Sequence, residues 1–292
     1  MKLCSVTLLI VISALFIILP MGCRRETTGN EGKIVVAVTL LPQAGMVTSI
    51  GGDRVEVLVM VPPGASPHTY EVTPGQMIKL SRARVYFKVG SPVEFEVAWM
   101  SKLTEINRDM LVVDCSQGIS LIESQDPDEP GLDPHIWLSA RNAVIMAGNI
   151  LKGLCQVDPA GAGFYEERYR EYISRLEDLD KELADGLSGI KNRTFIVFHP
   201  AFGYFARDYG LRQLAVEQGG KEPEADYIIR LIKEAREQGV KLVLVSPQYD
   251  RKSAEVIARE IGGRVVTVDP LAEDLVDSLQ AIVAALKQDQ DG

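Results

Sequence analysis

Short apolar runs rich in β-branched residues alternate along the chain with longer amphipathic segments. From Lys33 onward this alternation predicts a strand over 34–39, a helix over 43–50 and a second strand over 55–61. Further strands are predicted over residues 85–89, 111–114, 194–198, 211–216, 241–245 and 265–268. Nearly continuous apolar strands with helices between them are typical of a parallel sheet covered on both faces, so the pattern predicts an α/β protein.

The longest periodic segment lies in the middle of the chain. Asp158 and Pro159 are typical of a helix cap and first turn, and apolar residues then recur every three or four positions as far as Ser188. At about 1.5 Å per residue this segment predicts a rod of roughly 43 Å. We interpret it as a linking helix over 159–189 between two lobes, each a mostly parallel sheet covered by helices. The predicted lobes span residues 33–158 and 190–292.

The N-terminal segment has the layout of an export signal. Lys2 precedes an apolar run that ends in Gly22 and Cys23, and a polar stretch follows. A cysteine at this position resembles a bacterial lipoprotein signal, which predicts a signal peptide over 1–22, lipidation of Cys23 and a flexible tether over 23–32. The alternative is an uncleaved anchor, because about 19 apolar residues can just span a bilayer. Both interpretations place the protein outside the cytoplasm.

The composition of the 292-residue chain limits the classes of partner. It is 46% hydrophobic and 24% charged, which is ordinary for a packed globular protein, and we expect a monomer. The formal net charge of −9 argues against nucleic acid or an anionic membrane surface as a partner and favours cations. Beyond Cys4 and Cys23 the only cysteines are Cys115 and Cys155. Two buried free thiols are the simplest interpretation, although a disulfide between them stays open.

Three histidines and one aspartate are the candidate metal ligands. His68, His135, His199 and Asp269 each adjoin a proline, and each lies in a loop or at the end of a predicted strand. Ligands of open parallel sheets bind beyond the carboxyl ends of the strands, and imidazole and carboxylate are ligands of Zn²⁺ at about 2.0–2.2 Å. We therefore expect the four side chains to meet around one divalent ion. Taken singly, each also has an ordinary explanation as a loop, packing or turn residue.

These residues resemble a known family, the substrate-binding proteins of ABC-type zinc and manganese uptake systems. The resemblance covers nearly the whole chain after the signal and implies two α/β lobes joined by one rigid helix, with the metal held between them by His68, His135, His199 and Asp269. It also implies a membrane permease and its ATPase as partners, and no enzymatic activity. The motifs that carry it are Pro67-His68-Thr69-Tyr70-Glu71, Asp133-Pro134-His135-Ile136-Trp137-Leu138, His199-Pro200-Ala201-Phe202-Gly203-Tyr204 and Asp269-Pro270-Leu271.

The third histidine bears on which metal is bound. Manganese members of the family typically have glutamate in its place, so His199 favours Zn²⁺, with Mn²⁺ or Fe²⁺ as the alternative. Many zinc members carry a His-rich acidic loop before the second histidine; the corresponding loop here has Glu123, Asp126, Asp128 and Glu129 but no histidine.

Two other classes of function stay open from the sequence. Three histidines around zinc are also typical of a hydrolase, in which Glu71 or Asp133 would act as general base. A surface adhesin that merely resembles the receptor is the other alternative, and it does not exclude metal binding.

Overall fold

Two four-stranded parallel sheets carry the fold in a computed structural model that describes residues 32–124, 131–218 and 223–288. The strand orders are β2-β1-β3-β4 and β6-β5-β7-β8, so the second sheet repeats the topology of the first. The strands are β1 (Ile34–Val38), β2 (Val55–Val59), β3 (Val85–Lys88), β4 (Leu111–Asp114), β5 (Thr194–Val197), β6 (Arg212–Ala215), β7 (Leu242–Val245) and β8 (Arg264–Thr267). The predicted fold class of two α/β lobes is confirmed.

Helices cover the sheets and join them. Helix α4 packs on β3 and β4, which makes it part of the first lobe, whereas α8 packs on β7 and β8 of the second. The helices are α1 (Leu41–Gly51), α2 (Pro74–Leu80), α3 (Glu94–Ile106), α4 (Ala140–Val157), α5 (Ala162–Leu187), α6 (Gly203–Tyr209), α7 (Ala225–Glu237), α8 (Arg251–Ile261) and α9 (Leu275–Gln288).

The linking helix α5 begins later than the sequence predicts. Pro159–Gly161 forms a short 3-10 turn, and the 26-residue helix starts at Ala162. Asp158 stands at the N-cap position of this 3-10 turn, whereas the N-cap residue of α5 itself is Gly161, so the predicted cap lies one turn before α5. Asp158 Oδ2 accepts hydrogen bonds from Arg54 Nη2 and Tyr165 Oη, both at 2.7 Å. Asp158 therefore fastens the start of α5 to the first lobe.

One apolar cluster runs through both lobes. It contains the first sheet, the buried side of α5, helix α9 and one face of the second sheet. Strand β5 shows how the faces divide, because Phe195 and Val197 belong to this cluster whereas Ile196 and Phe198 belong to a second, smaller one. From Lys33 onward the described chain forms one compact unit. The lobes are therefore joined through their core as well as through the chain.

Several sequence predictions lie at the limits of the described residues. The signal peptide, Cys23 and the tether up to residue 31 lie outside them, as do Asp126, Asp128 and Glu129. Within the described ranges, no helix combines the length and the apolar character needed to cross a bilayer. Cys115 and Cys155 both carry free thiols; the first is buried and the second is only partly buried.

Candidate metal centre

The three histidines lie close together beyond the carboxyl ends of the strands. His68 is in the loop after β2, His135 in the loop after β4, and His199 two residues after β5. The ring centroids of His68 and His135 are 5.1 Å and 5.0 Å from that of His199. His135 Nε2 and His199 Nε2 are 3.1 Å apart. Four-coordinate zinc with nitrogens at 2.0–2.1 Å would separate two of them by about 3.3 Å, so this pair is almost at the spacing of two ligands.

Each imidazole is paired with its own carboxylate through Nδ1. A carboxylate there holds the proton on Nδ1 and presents the lone pair of Nε2 for metal ligation, as outer-layer carboxylates do in many histidine metal sites. The pairs are His68 Nδ1 with Glu94 Oε1 at 3.2 Å, His135 Nδ1 with Asp133 Oδ1 at 2.8 Å, and His199 Nδ1 with Glu217 Oε2 at 2.7 Å.

The pairing of both rings with carboxylates determines which lone pairs face each other between His135 and His199. If both Nδ1 atoms donate to carboxylates, two Nε2 lone pairs face each other across 3.1 Å. Such a contact is repulsive unless a proton or a cation lies between the nitrogens. The arrangement therefore favours a positive centre at this point.

The surroundings favour neutral imidazole at His199 and ionised carboxylate at Glu94. Burial lowers the pKa of His199 below its ordinary value and outweighs the hydrogen bond to Glu217, which acts in the opposite direction. Burial raises the pKa of Glu94, but the hydrogen bond from His68 and the charge of that ring outweigh burial and hold the pKa below its usual range. The neutral ring of His199 can ligate a cation, whereas the effect on Glu94 includes a charge on His68 that this ring must lose before it binds a metal.

The loop geometry explains why these side chains are oriented as they are. Asp133 Oδ1 accepts from the backbone N of His135 at 2.9 Å as well as from its ring, so the turn and the imidazole share one acceptor. The backbone N of Glu217 donates to Phe198 O at 2.9 Å, which sets this carboxylate beside the loop of His199. Strands β5 and β6 are neighbours, and the loops after their adjacent ends supply the pair of His199 and Glu217.

The histidines line a cavity of about 30 Å³. This volume suits one water molecule or one ion. Trp137 and Tyr249 form part of its wall, and the ring of Tyr249 stacks on His199 with centroids 5.6 Å apart. Gln248 also lines the cavity, and its Oε1 is the one buried side-chain polar atom without a hydrogen-bond partner among the described residues. The cavity therefore has aromatic and imidazole walls and an oxygen donor nearby.

Asp269, the fourth predicted ligand, is placed differently from the histidines. It follows β8, but its Oδ1 accepts from Gln248 Nε2 at 3.0 Å and from the backbone N of Leu271 at 2.9 Å. Its neighbours Pro270 and Leu271 line the cavity. Across the described ranges, no three His, Cys, Asp or Glu side chains are already arranged to hold a metal ion. A complete ligand set therefore requires movement of a third side chain toward the pair of His135 and His199, and the role of Asp269 stays a prediction.

The three paired carboxylates are the functional residues that the sequence did not reveal. They are ordinary members of a set of 40 acidic residues. Local sequence signals could have singled out two of the three carboxylates. Asp133 stands two residues before His135, a spacing typical of a carboxylate that accepts from the backbone two positions on, and Glu217 directly follows the strand predicted over 211–216. Asp133 and Glu217 are 3% and 6% exposed, which is unusual for unpaired carboxylates.

Known proteins of one class match nearly all of the chain. The family model described as zinc-uptake complex component A, periplasmic, matches residues 36–288. The manganese ABC transporter substrate-binding lipoprotein PsaA of Streptococcus mitis is 30% identical over 82% of this chain and 80% of its own length. The zinc uptake protein ZnuA of Bacillus subtilis is 27% identical over 97% and 95%. The iron ABC transporter lipoprotein MtsA of Streptococcus pyogenes is 31% identical over 85% and 83%.

Solved structures match the fold as well as the sequence. A crystal structure of ZnuA aligns with a TM-score of 0.82 at 39% identity, over 88% of this chain and 98% of that one. A manganese-bound periplasmic metal-binding protein from Candidatus Liberibacter asiaticus aligns with a TM-score of 0.76 at 26% identity, over 87% of this chain and 100% of that one. The relatives and structures are thus named for different metals, and their names do not agree on one ion.

Proposed function

This chain belongs to the family of periplasmic zinc-uptake component A proteins, and from that premise we propose that it captures Zn²⁺ outside the cytoplasm and delivers it to an ABC permease. The proposed nitrogen ligands are His68, His135 and His199. Asp269 is the proposed oxygen ligand, and it would have to turn away from Gln248 to reach the ion. In this proposal the ion is the cargo of the protein and takes part in no reaction.

One observation carries the proposal: three imidazoles, each with its Nδ1 on a carboxylate, line a cavity the size of a single ion. The carboxylates of Glu94, Asp133 and Glu217 add negative charge around the cavity, which favours a divalent cation there. They also fix the tautomer of each ring before the ion arrives, which reduces the cost of ordering the ligands.

The choice of zinc rests on the donor atoms. Three neutral imidazoles suit Zn²⁺ and similar borderline ions, whereas Mn²⁺ prefers a larger share of oxygen ligands. Relatives named for manganese and iron make Mn²⁺ and Fe²⁺ the alternative cargoes within the same class of receptor.

The cavity also supports a receptor over a zinc hydrolase. A volume of about 30 Å³ accepts an ion and is well below the volumes of about 300–1,000 Å³ that are typical of sites for organic substrates. Asp133, one of the candidate general bases, is 3% exposed and already hydrogen-bonded to His135. These observations favour binding and transfer of an ion over hydrolysis.

The relatives named as lipoproteins support the proposed location. We propose that the chain is exported, that Cys23 carries the lipid anchor and that the two lobes act as a monomer outside the membrane. A permease and its ATPase would then be the partners that receive the ion.

Titration calorimetry at neutral pH tests the function directly. We expect the wild-type protein to bind one Zn²⁺ more tightly than Mn²⁺, and we expect His135→Ala to weaken zinc binding by at least 100-fold because it removes one of three nitrogens. Equal zinc affinities of the wild type and the variant would reject the site. Tighter binding of Mn²⁺ than of Zn²⁺ would support the proposed site but identify Mn²⁺ as the transported ion.

A further inference from the structure

Helix α6 of the second lobe reaches across to the loop that carries His135. That loop leads into α4 of the first lobe. Arg207 Nη1 of α6 donates to Ser120 O at 3.1 Å, and Ser139 Oγ, at the start of α4, donates to the carboxylate of Asp208. The loop of His135 is thus held from both lobes.

Tyr204 of α6 makes the contact closest to the candidate metal centre. Its hydroxyl donates to Asp133 O at 2.9 Å and accepts from the backbone N of Ile122 at 3.3 Å. Tyr204 is fully buried, so water cannot replace either bond without a change in packing. Asp133 in turn holds both the backbone N and the ring of His135. A continuous chain of hydrogen bonds therefore leads from α6 to this imidazole.

Gly203 shows how closely α6 approaches the same carboxylate. A Cβ atom at this position would lie 2.2 Å from Asp133 Oδ2, which is far inside van der Waals contact. Only glycine lets the first residue of α6 pack against the carboxylate in this position. Asp133 is thus confined between His135 on one side and the second lobe on the other.

We propose that Tyr204 is a positioning residue for His135, through which the second lobe controls how firmly the first lobe's histidine holds the ion. Separation of α6 from the loop removes the hydroxyl from Asp133 O, and Asp133 then no longer fixes the ring of His135. Opening of the lobes therefore weakens the hold of His135 on the ion and also moves the ligands of the two lobes apart. This inference rests on the proposed metal-binding function.

The variant Tyr204→Phe removes one hydroxyl and keeps the ring. Tyr209→Phe is the matched control, because Tyr209 lies on the same helix and its hydroxyl also donates to a carboxylate, that of Asp180 on α5 at 2.7 Å. We expect Tyr204→Phe to raise the dissociation rate of Zn²⁺, measured by stopped flow against a chelator, by roughly 10-fold, the low end of the effect of outer-layer partners. We expect Tyr209→Phe to stay within about twofold of the wild type.

A second measurement separates positioning from general loosening. The chain has three histidines, so their ring ¹⁵N signals can be assigned with single alanine variants. In the metal-free protein we expect Tyr204→Phe to change the ring tautomer signals of His135 and to leave those of His68 as in the wild type. If Tyr204→Phe does not fold, Gly203→Ala tests the neighbouring contact of α6 with the Asp133 carboxylate, and we expect it to change the His135 signals as well.

The outcomes distinguish this inference from the proposed function. Equal zinc dissociation rates of Tyr204→Phe and Tyr209→Phe, with unchanged His135 signals, would overturn the positioning role while leaving zinc binding intact. A wild-type protein that binds no divalent metal would overturn the proposed function. In that case, unchanged His135 signals in metal-free Tyr204→Phe would overturn the positioning role separately.

Discussion

At the scale of single residues, the candidate site consists of pairs. The histidines could be found from the sequence because there are only three and each lies in a loop next to a proline. Their pairing with carboxylates could not be predicted, because the contact of Glu94 with His68 or of Glu217 with His199 depends on which strand ends become neighbours. Strand order is a property of tertiary packing, which the local pattern does not specify.

Removal of the Glu217 carboxylate should weaken zinc binding more than removal of the Glu94 carboxylate. Glu217 is 6% exposed, whereas the side chain of Glu94 is 42% exposed and competes with water. We expect Glu217→Gln to weaken zinc binding by about 10- to 100-fold, because the neutral amide holds the Nδ1 proton of His199 less strongly. Competition with a chelator measures the affinity. Glu234→Gln is the control, since Glu234 pairs with the exposed Arg212 and accepts a hydrogen bond from Gln238 instead of from a histidine. Equal affinities of the two variants would contradict the prediction.

At the scale of elements, the alternation of strands and helices was predictable, and some element starts were not. Asp158 followed by Pro159 is the pattern of a helix cap. In the structure the carboxylate accepts hydrogen bonds from Arg54 and Tyr165, and α5 starts at Ala162. An ion pair with a residue 104 positions earlier leaves no local trace in the sequence. The N-cap position of Asp158 before the first turn was predictable, but the contact of its carboxylate with Arg54 was not.

The contacts of Asp158 predict an acid-sensitive contribution to stability. Burial raises its pKa, but the hydrogen bonds from Tyr165 and Arg54 outweigh burial and hold the pKa below the ordinary 3.8. A lowered pKa stabilises the fold above about pH 4, and this stabilisation is lost as the pH falls through the folded-state pKa.

The corresponding variant is Asp158→Asn. We expect it to lower the melting temperature at pH 7 by about 2–4 °C, for a loss of about 1 kcal/mol. The difference from the wild type should shrink below about pH 3.5, because the wild-type carboxyl is then increasingly protonated. Melting followed by circular dichroism across this pH range measures it, and a difference that grows in acid would contradict the assignment.

At the scale of the whole molecule, the two lobes share one apolar cluster. The sequence predicted two lobes and a long helix, but it did not show that α5 packs on α1 and α4 as well as on α9. The amphipathic pattern of α5 reveals one apolar stripe without identifying what covers it.

A shared core predicts cooperative unfolding. We expect differential scanning calorimetry to show a single transition, since neither lobe can unfold without exposing the apolar face of α5. Saturating Zn²⁺ should raise the temperature of this single transition, by an amount that grows with the metal concentration. His135→Ala should show the same single transition with a smaller shift. Two separate transitions, or a metal effect on only one of them, would rule out the shared core as a single cooperative unit.

The apolar cluster that passes through α5 limits how this receptor can be altered. A fragment that ended before α5 would leave the apolar sides of α1 and α4 facing water, and one that began after α5 would do the same to α9, so we expect neither half to fold as an independent module. The histidine loops lie beyond the strand ends, but Ile136, Trp137 and Leu138 next to His135 belong to the same apolar cluster. A new cargo preference is therefore better engineered by substituting single ligands, while the apolar residues of the loops are kept together with the interior.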